Sequence, residues 1–403
     1  MESCNYTALT RRKLLIGAGT VAAWSMMPKA GFAGTRDPRF VVVLLRGALD
    51  GLAAVAPVGD PNYRPLRGAL ALGEGGKDVL PLAGSFFALN DAMPKLHGRF
   101  AKGEALVVHA AATPYRSRSH FDGQNVLESG LEGPSGTQDG WLNRVAVALP
   151  AGERVGTQPG LAIGPTIPLI LAGPAGTLTW SPQTFQPAVE DTALRLASLY
   201  GESDQELAKL LTEGLETDRM MANSAFDIEK GPARAFRILA NGAAKLLAEE
   251  DGPRLAAISY EGWDTHVQEG ADNGRLAKNL SALDLALDDL AETLGPAWKD
   301  TVVAVVTEFG RTAWGNGGGG TDHGTATTAF LVGGPVKGGR VIADWPGLRE
   351  ADLFEGRDLK PTTDLRAVLK GVLKDHLGLS DRTLATDIFP GSLGVRPMAG
   401  LVA

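Results

Sequence analysis

Four short stretches of this 403-residue chain carry side chains of the types and spacing that hold cations and anions. In Thr307-Glu308-Phe309-Gly310-Arg311 a carboxylate and a guanidinium directly follow an apolar run. A glycine-rich loop then leads to Thr321-Asp322-His323-Gly324. Carboxylate oxygens and imidazole nitrogens are the donors that divalent cations take from proteins. In Asp264-Thr265-His266 the acid and the imidazole stand two apart, so both face one ion if the backbone is extended. A surface turn is the other reading of that pair. Asp50 is followed by Gly51, which lets the chain turn tightly. It reads either as a metal ligand or as a turn or helix-capping acid. The fourth stretch, Tyr115-Arg116-Ser117-Arg118-Ser119-His120, opens a helix. A serine there lies among free N–H groups at the positive end of the helix dipole, which favours an alkoxide or a bound phosphate or sulfate. Ser119 is better placed than Ser117, and plain N-capping is the alternative for both. His120 reads as a ligand or a base, and His109 as structural.

Something must bring these stretches together, and the hydrophobic pattern names it. Residues 40–45, 105–109, 255–260, 302–306 and 329–332 are short apolar runs, rich in Val and Ile, of the kind found in strands buried on both faces. The groups at 50, 264–266 and 308–311 each follow such a run. In open α/β sheets, ligands sit outside the carboxyl ends of the strands. Leu280, Leu283, Leu287, Leu290 and Leu294 form one helical face that stops at Gly295-Pro296. Strand, helix and strand 302–306 then make a βαβ unit with parallel strands. Further helices are expected over 91–100, 191–226 and 233–250, with a short strand within 334–344. A last helix is expected to be capped by Thr363 and to end near His376, read as a surface residue. Residues 151–187, rich in Gly, Pro and Thr, read as an inserted cap or small β element beside the site. The fold class is α/β, a mostly parallel central sheet with helices on both faces, in one domain over 34–403.

Residues 1–33 are a separate matter. Arg11-Arg12 precedes a short apolar region and the small-residue pattern Ala30-Gly31-Phe32-Ala33, which reads as a twin-arginine export signal. Its apolar region is shorter than the roughly 18 residues a span needs. The chain is therefore expected in the periplasm or secreted, with the twin-arginine translocase as its partner during export and no stable membrane span afterwards. The formal charge of −7 includes the basic signal, so no basic stripe remains to suit nucleic acid. The single cysteine, Cys4, lies in the signal, which excludes disulfide and thiolate chemistry from the rest.

The motifs VVVLLRGALDGLAAV, RSRSHFDGQNVLESG, GWDTH and TEFGRTAWGNGGGGTDHG, with VKGGRVIADWPGL, resemble domain-of-unknown-function family 1501 over nearly the whole mature chain. That family is similar to the alkaline phosphatase and sulfatase superfamily, which implies a metal-activated nucleophile acting on phosphate, phosphonate or sulfate esters. The resemblance matches Asp50 to a first-strand metal aspartate, Asp264 and His266 to a ligand pair and His323 to a third ligand. It puts Ser119 near the nucleophile. Glu308 stands where an Asp-His pair is usual, so one or two ions are implied, of zinc, calcium or manganese. With no cysteine in a Pro-Ser-Arg signature, formylglycine chemistry is excluded. Arg46, Arg118 or Arg311 would hold the remaining oxygens of the anion. The other function weighed is a catalytically degenerate exported binding or envelope-assembly protein that keeps the fold and perhaps one metal.

Overall fold

The computed structural model describes residues 36–73, 79–149, 159–164, 166–182 and 232–403, together with a few positions between 200 and 212. Residues 1–35, with the expected signal, and most of the helix expected over 191–226 lie outside the described residues. Residues 38–403 belong to one compact unit.

Twelve strands are described. They are β1 (Arg39–Arg46), β2 (Val55–Ala56), β3 (Val79–Pro81), β4 (Ala88–Asn90), β5 (Ala105–Ala112), β6 (Gly160–Ile163), β7 (Thr177–Trp180), β8 (Leu255–Glu261), β9 (Thr301–Thr307), β10 (Thr327–Gly333), β11 (Arg340–Ile342) and β12 (Thr363–Asp364). Nine of them form the central sheet in the order β11-β5-β10-β9-β1-β8-β6-β7, with β12 on β5. Strands β2 to β4 form a small separate sheet. In the central sheet every strand is parallel to β1 except β10, which runs antiparallel to β5 and β9.

The central position of β1 explains its apolar run. Val41, Val43 and Leu45 enter the core on one face, while Phe40, Val42 and Leu44 enter the core on the other. The first face is covered by α1 (Pro94–Ala101), α4 (Pro232–Ala248) and α5 (Arg275–Leu294). The second is covered by α2 (His120–Ser129), α3 (Trp141–Ala148) and α6 (Leu365–Leu377). Helix α5 carries the expected leucine face, all of it buried, and connects β8 to β9 across β1.

Within 151–187 the described strands β6 and β7 extend the central sheet beyond β8 as parallel strands. These four-residue strands supply too little surface for a core of their own, and Leu161, Ile163 and Trp180 bury against β8 and α4 instead. Two local expectations are corrected. Asp364, not Thr363, caps α6, its carboxylate accepting from Arg366 N, while Thr363 pairs with β5. His376 is buried, with its Nε2 3.0 Å from the Arg39 carbonyl, so it ties the end of α6 to the start of β1.

Candidate metal centre

The parallel strands deliver their carboxyl ends to one edge of the sheet. Strand β8 leads to Asp264 and His266, β9 to Glu308 and Arg311, and β5 through a short loop to His120 at the start of α2. Because β10 runs the other way, the residues before it reach the same edge, and His323 joins the others there.

The side chains converge. His323 Nε2 lies 2.9 Å from His120 Nε2 and 2.9 Å from His266 Nε2. Asp264 Oδ1 lies 3.1 Å from His266 Nε2, 3.3 Å from His323 Nε2 and 3.6 Å from His120 Nε2. Ligands about 2.0–2.2 Å from one ion stand roughly 3 Å from each other, so these spacings suit a divalent cation. The His266 and Asp264 side chains are 41% and 43% exposed, which leaves the cluster open on the β8 side.

Each ring is held by its other nitrogen. His120 Nδ1 is 2.8 Å from Glu308 Oε1, His266 Nδ1 is 3.1 Å from Asp322 Oδ1 and His323 Nδ1 is 2.9 Å from the Arg118 carbonyl. All three partners are acceptors, so each Nδ1 carries the proton and each Nε2 presents a lone pair. Three lone pairs and a carboxylate oxygen facing one another repel unless a cation stands among them. An acceptor behind each metal-binding imidazole is the usual way proteins orient such ligands. The donor set fits a divalent ion by this test. Phe309 stacks on His120 with ring centroids 5.0 Å apart and limits its swing.

The charges agree with the geometry. The Glu308 hydrogen bond, opposed by partial burial, holds the His120 pKa above its ordinary value. Burial, with the neighbouring His120, pulls His323 down. Burial works against ionisation of Asp264, but the Arg311 hydrogen bond of 2.6 Å prevails and its carboxyl titrates below the usual range.

Backbone shape is part of the site. Gly47 has φ of 117°, and a Cβ there would stand 2.4 Å from Asp264 N. Its N–H donates to Glu308 Oε1 at 2.9 Å. In the glycine-rich loop a Cβ on Gly320 would meet the Thr265 carbonyl at 2.2 Å. Arg118 is left-handed at φ of 63°, and the same residue aims its carbonyl at His323. A non-glycine residue held in that region stores roughly 1 kcal/mol or more, as happens at constrained sites.

The remaining expected residues lie around this cluster in other roles. Glu308 is buried beneath it, accepting from His120, Gly47, Gln124 and Thr307. Asp50 caps the helical turn Gly51–Ala54 and is ion-paired to buried Arg67. The donor atoms that lie within 4.8 Å of one another belong to His120, Asp264 and His323; His266, which reaches His323 and Asp264, is not in that group, and neither is Asp50. The guanidinium groups are engaged within the protein. Arg46 binds Glu128 and Gln124, Arg118 binds Asp358 and Glu355, and Arg311 binds Asp264 and Thr321. Ser119 stands at the N-cap of α2 with no capping hydrogen bond from its side chain, so its hydroxyl is not used by the helix. Ser117 is exposed. Arg67 and Glu269 carry no signal in the sequence, where nothing distinguishes a buried pairing partner from a surface residue.

Fold and site together define an α/β protein with a His/Asp cluster at the carboxyl edge of a mostly parallel sheet. Residues 104–389, well over half of the chain, match the family described as "Protein of unknown function (DUF1501)". The chain belongs to that family. No curated protein matches the sequence. Among solved structures the chain is similar to Ps i-CgsB in complex with k-i-k-neocarrahexaose, at 11% identity and a TM-score of 0.42, covering 90% of this chain and 77% of that one. It is also similar to a protein in the alkaline phosphatase superfamily from Vibrio parahaemolyticus, at 12% identity and a TM-score of 0.37, covering 78% and 64%. A third likeness is the phosphonate monoester hydrolase of Agrobacterium radiobacter, at 11% identity and a TM-score of 0.35, covering 85% and 74%. No described helix is long and apolar enough to cross a membrane.

Proposed function

We propose that the chain is an exported metal-dependent hydrolase of phosphate, phosphonate or sulfate esters, with one divalent cation held by His120, Asp264 and His323 and with His266 beside them. The observation that carries this reading is the convergence of three imidazole Nε2 atoms on Asp264 Oδ1, each ring anchored at Nδ1 by an acceptor. The motif resemblance supports the ester class, and the twin-arginine pattern at Arg11-Arg12 supports export. A cation bound there would supply Lewis-acid polarisation and lower the pKa of an oxygen nucleophile. Arg311 keeps Asp264 ionised and aimed inward. Glu308 holds the proton of His120 on Nδ1, away from the cluster. Ser119, one residue before His120 with its hydroxyl unused by the helix, is the side-chain nucleophile of this reading.

One observation favours a second reading. Arg46, Arg118 and Arg311 are already paired within the protein, which leaves none of the three free to grip an anion. A protein that keeps the fold and the metal but serves as a binding or envelope-assembly factor fits that pairing.

A panel of nitrophenyl phosphate, phosphonate and sulfate esters separates the two. The hydrolase reading expects turnover by the zinc- or manganese-loaded chain. It further expects a fall of roughly 10²-fold or more in Ser119→Ala, with metal content kept and Ser117→Ala unaffected. Undiminished turnover in Ser119→Ala would remove the serine from the mechanism. No turnover of any ester by the loaded wild type favours the binding reading.

A further inference from the structure

Behind the cluster lies a second group of ionisable side chains that the proposed reaction does not use. Asp50, Arg67 and Glu269 are all buried. Arg67 is paired to Asp50, stands 3.9 Å from Glu269 Oε1 and donates to the Thr312 and Ala313 carbonyls at 3.4 and 3.5 Å. Glu269 Oε2 accepts from Thr321 Oγ1 at 2.6 Å, while its Oε1 and Arg67 Nε have no hydrogen-bond partner. Thr321 Oγ1 in turn accepts from Arg311 Nε at 3.1 Å, and Arg311 donates to Asp264 Oδ1 at 2.6 Å.

Two runs of contacts, Asp50–Arg67 and Glu269–Thr321–Arg311–Asp264, meet across the 3.9 Å between Arg67 and Glu269. Their inner end is sealed from solvent and their outer end is an oxygen of the cluster. An arginine side chain is long and free to turn, so one bond to Asp264 does not fix it. Arg311 is fixed because Thr321 takes two of its nitrogens, Nε through the hydroxyl and the third through the backbone carbonyl. The hydroxyl proton points away from Arg311 because Glu269 accepts it. Without Glu269 the hydroxyl would be free to rotate, and its lone pair would no longer be directed at Arg311.

We propose that Thr321 and Glu269 are positioning residues for Asp264. On this proposal the buried trio serves as the fixed anchor of those contacts and not as a second metal site. Both Asp50 oxygens are engaged, Oδ1 by the Leu52 and Ala53 N–H groups and Oδ2 by Arg67, and the trio is sealed from solvent, which leaves no open ligand position there. The inference rests on the reading that the His/Asp cluster holds a metal, and it deepens that reading by assigning one ion and the groups that set its affinity.

The test is zinc affinity, measured by competition with a chromophoric chelator on the folded chain, for wild type, Thr321→Val, Thr321→Ser, Glu269→Met and the Val/Met double variant. Valine keeps the shape of threonine and the backbone bond to Arg311 but removes both hydroxyl contacts. Thr321→Val is expected to bind zinc about tenfold more weakly, the scale on which outer partners of metal ligands act. Thr321→Ser, which restores the hydroxyl, returns affinity to within roughly twofold of wild type on that scale. Glu269→Met weakens it less. The double variant is no weaker than Thr321→Val, because both changes break one run of contacts. Unchanged zinc affinity in Thr321→Val, or full additivity in the double variant, overturns the positioning role. A lower Tm with wild-type affinity does so too, since it reports packing alone. Two zinc equivalents in the wild type overturn the single-ion assignment. Should Thr321→Val not fold, Glu269→Met decides in its place, and unchanged affinity there overturns the positioning role. No zinc uptake by folded wild type sinks the metal reading itself, an outcome distinct from these.

Discussion

The imidazole cluster and the Asp50–Arg67–Glu269 trio lie at the same edge of the sheet and draw on the same kinds of residues. Physically they are opposites. In the trio a cation of the protein's own is sealed in with the acids. In the cluster the protons are drawn back to each Nδ1, and lone pairs are left facing an open side. Burial also acts differently on the two. Glu269, with burial and Asp50 both raising it, is pushed up to about 9 and holds its proton at neutral pH. Asp264 is only partly buried, and Arg311 keeps it ionised. A carboxylate that follows a strand is therefore not by itself a ligand. Each has an arginine beside it, but Asp50 is sealed in with Arg67 whereas Asp264, paired to Arg311, stays open beside the imidazoles.

Gly47→Ala is expected to break the contrast most severely. The new Cβ would stand 2.4 Å from Asp264 N, at a backbone angle that side chains rarely adopt. The cost is roughly 1–3 kcal/mol from backbone strain alone, and the clash adds to it. The measurements are the urea midpoint and zinc uptake. Both should fall, and a fall in stability with full zinc uptake would show that Asp264 tolerates the shift. Glu308→Gln comes next. It replaces the acceptor behind His120 with an amide that can turn its NH₂ toward Nδ1, so the ring loses its fixed tautomer. Zinc affinity should drop roughly 10–100-fold with little change in Tm. Unchanged affinity would make Glu308 a packing residue only.

The smallest effect tests whether burial without a cation behaves alike elsewhere. Asp284 on α5 is buried and accepts from Lys95 N and Leu96 N, which caps α1. Burial raises its pKa to about 6, with Asp288 adding to the rise and those two bonds and Lys95 opposing it. Its folded value thus lies above its ordinary value of 3.8, so the folded state favours the protonated form. The associated stability is fully present below 3.8 and is lost as pH rises through about 6. Urea midpoints taken between pH 4 and pH 7 should decline in the wild type by an amount equivalent to about 1–2 kcal/mol. The decline should flatten in Asp284→Asn. An equal slope in both proteins would remove Asp284 as its source.

Much of this was legible in the sequence. The apolar runs of β1, β5, β8, β9 and β10 were visible because strands buried on both faces leave no polar interruption. Asp264, His266 and His323 were readable because each lies close to the end of such a run. What could not be read was partnership over distance. Whether His120 faces the cluster or the solvent depends on Glu308, 188 positions away, and His323 depends on a carbonyl 205 positions away. Asp50 looks like a ligand until Arg67 is found beside it. The direction of β10 and the joining of β6 and β7 to the sheet edge were hidden as well, because short apolar runs carry no sign of orientation or partner.

The most direct measurement is metal content by mass spectrometry. It compares the full chain purified without chelator with the Asp264→Asn, His323→Ala double variant prepared in the same way. One equivalent of a divalent metal in the wild type and none in the folded variant is the predicted result. Equal metal in the two proteins, or none in either, would contradict the central claim that this cluster is a metal centre.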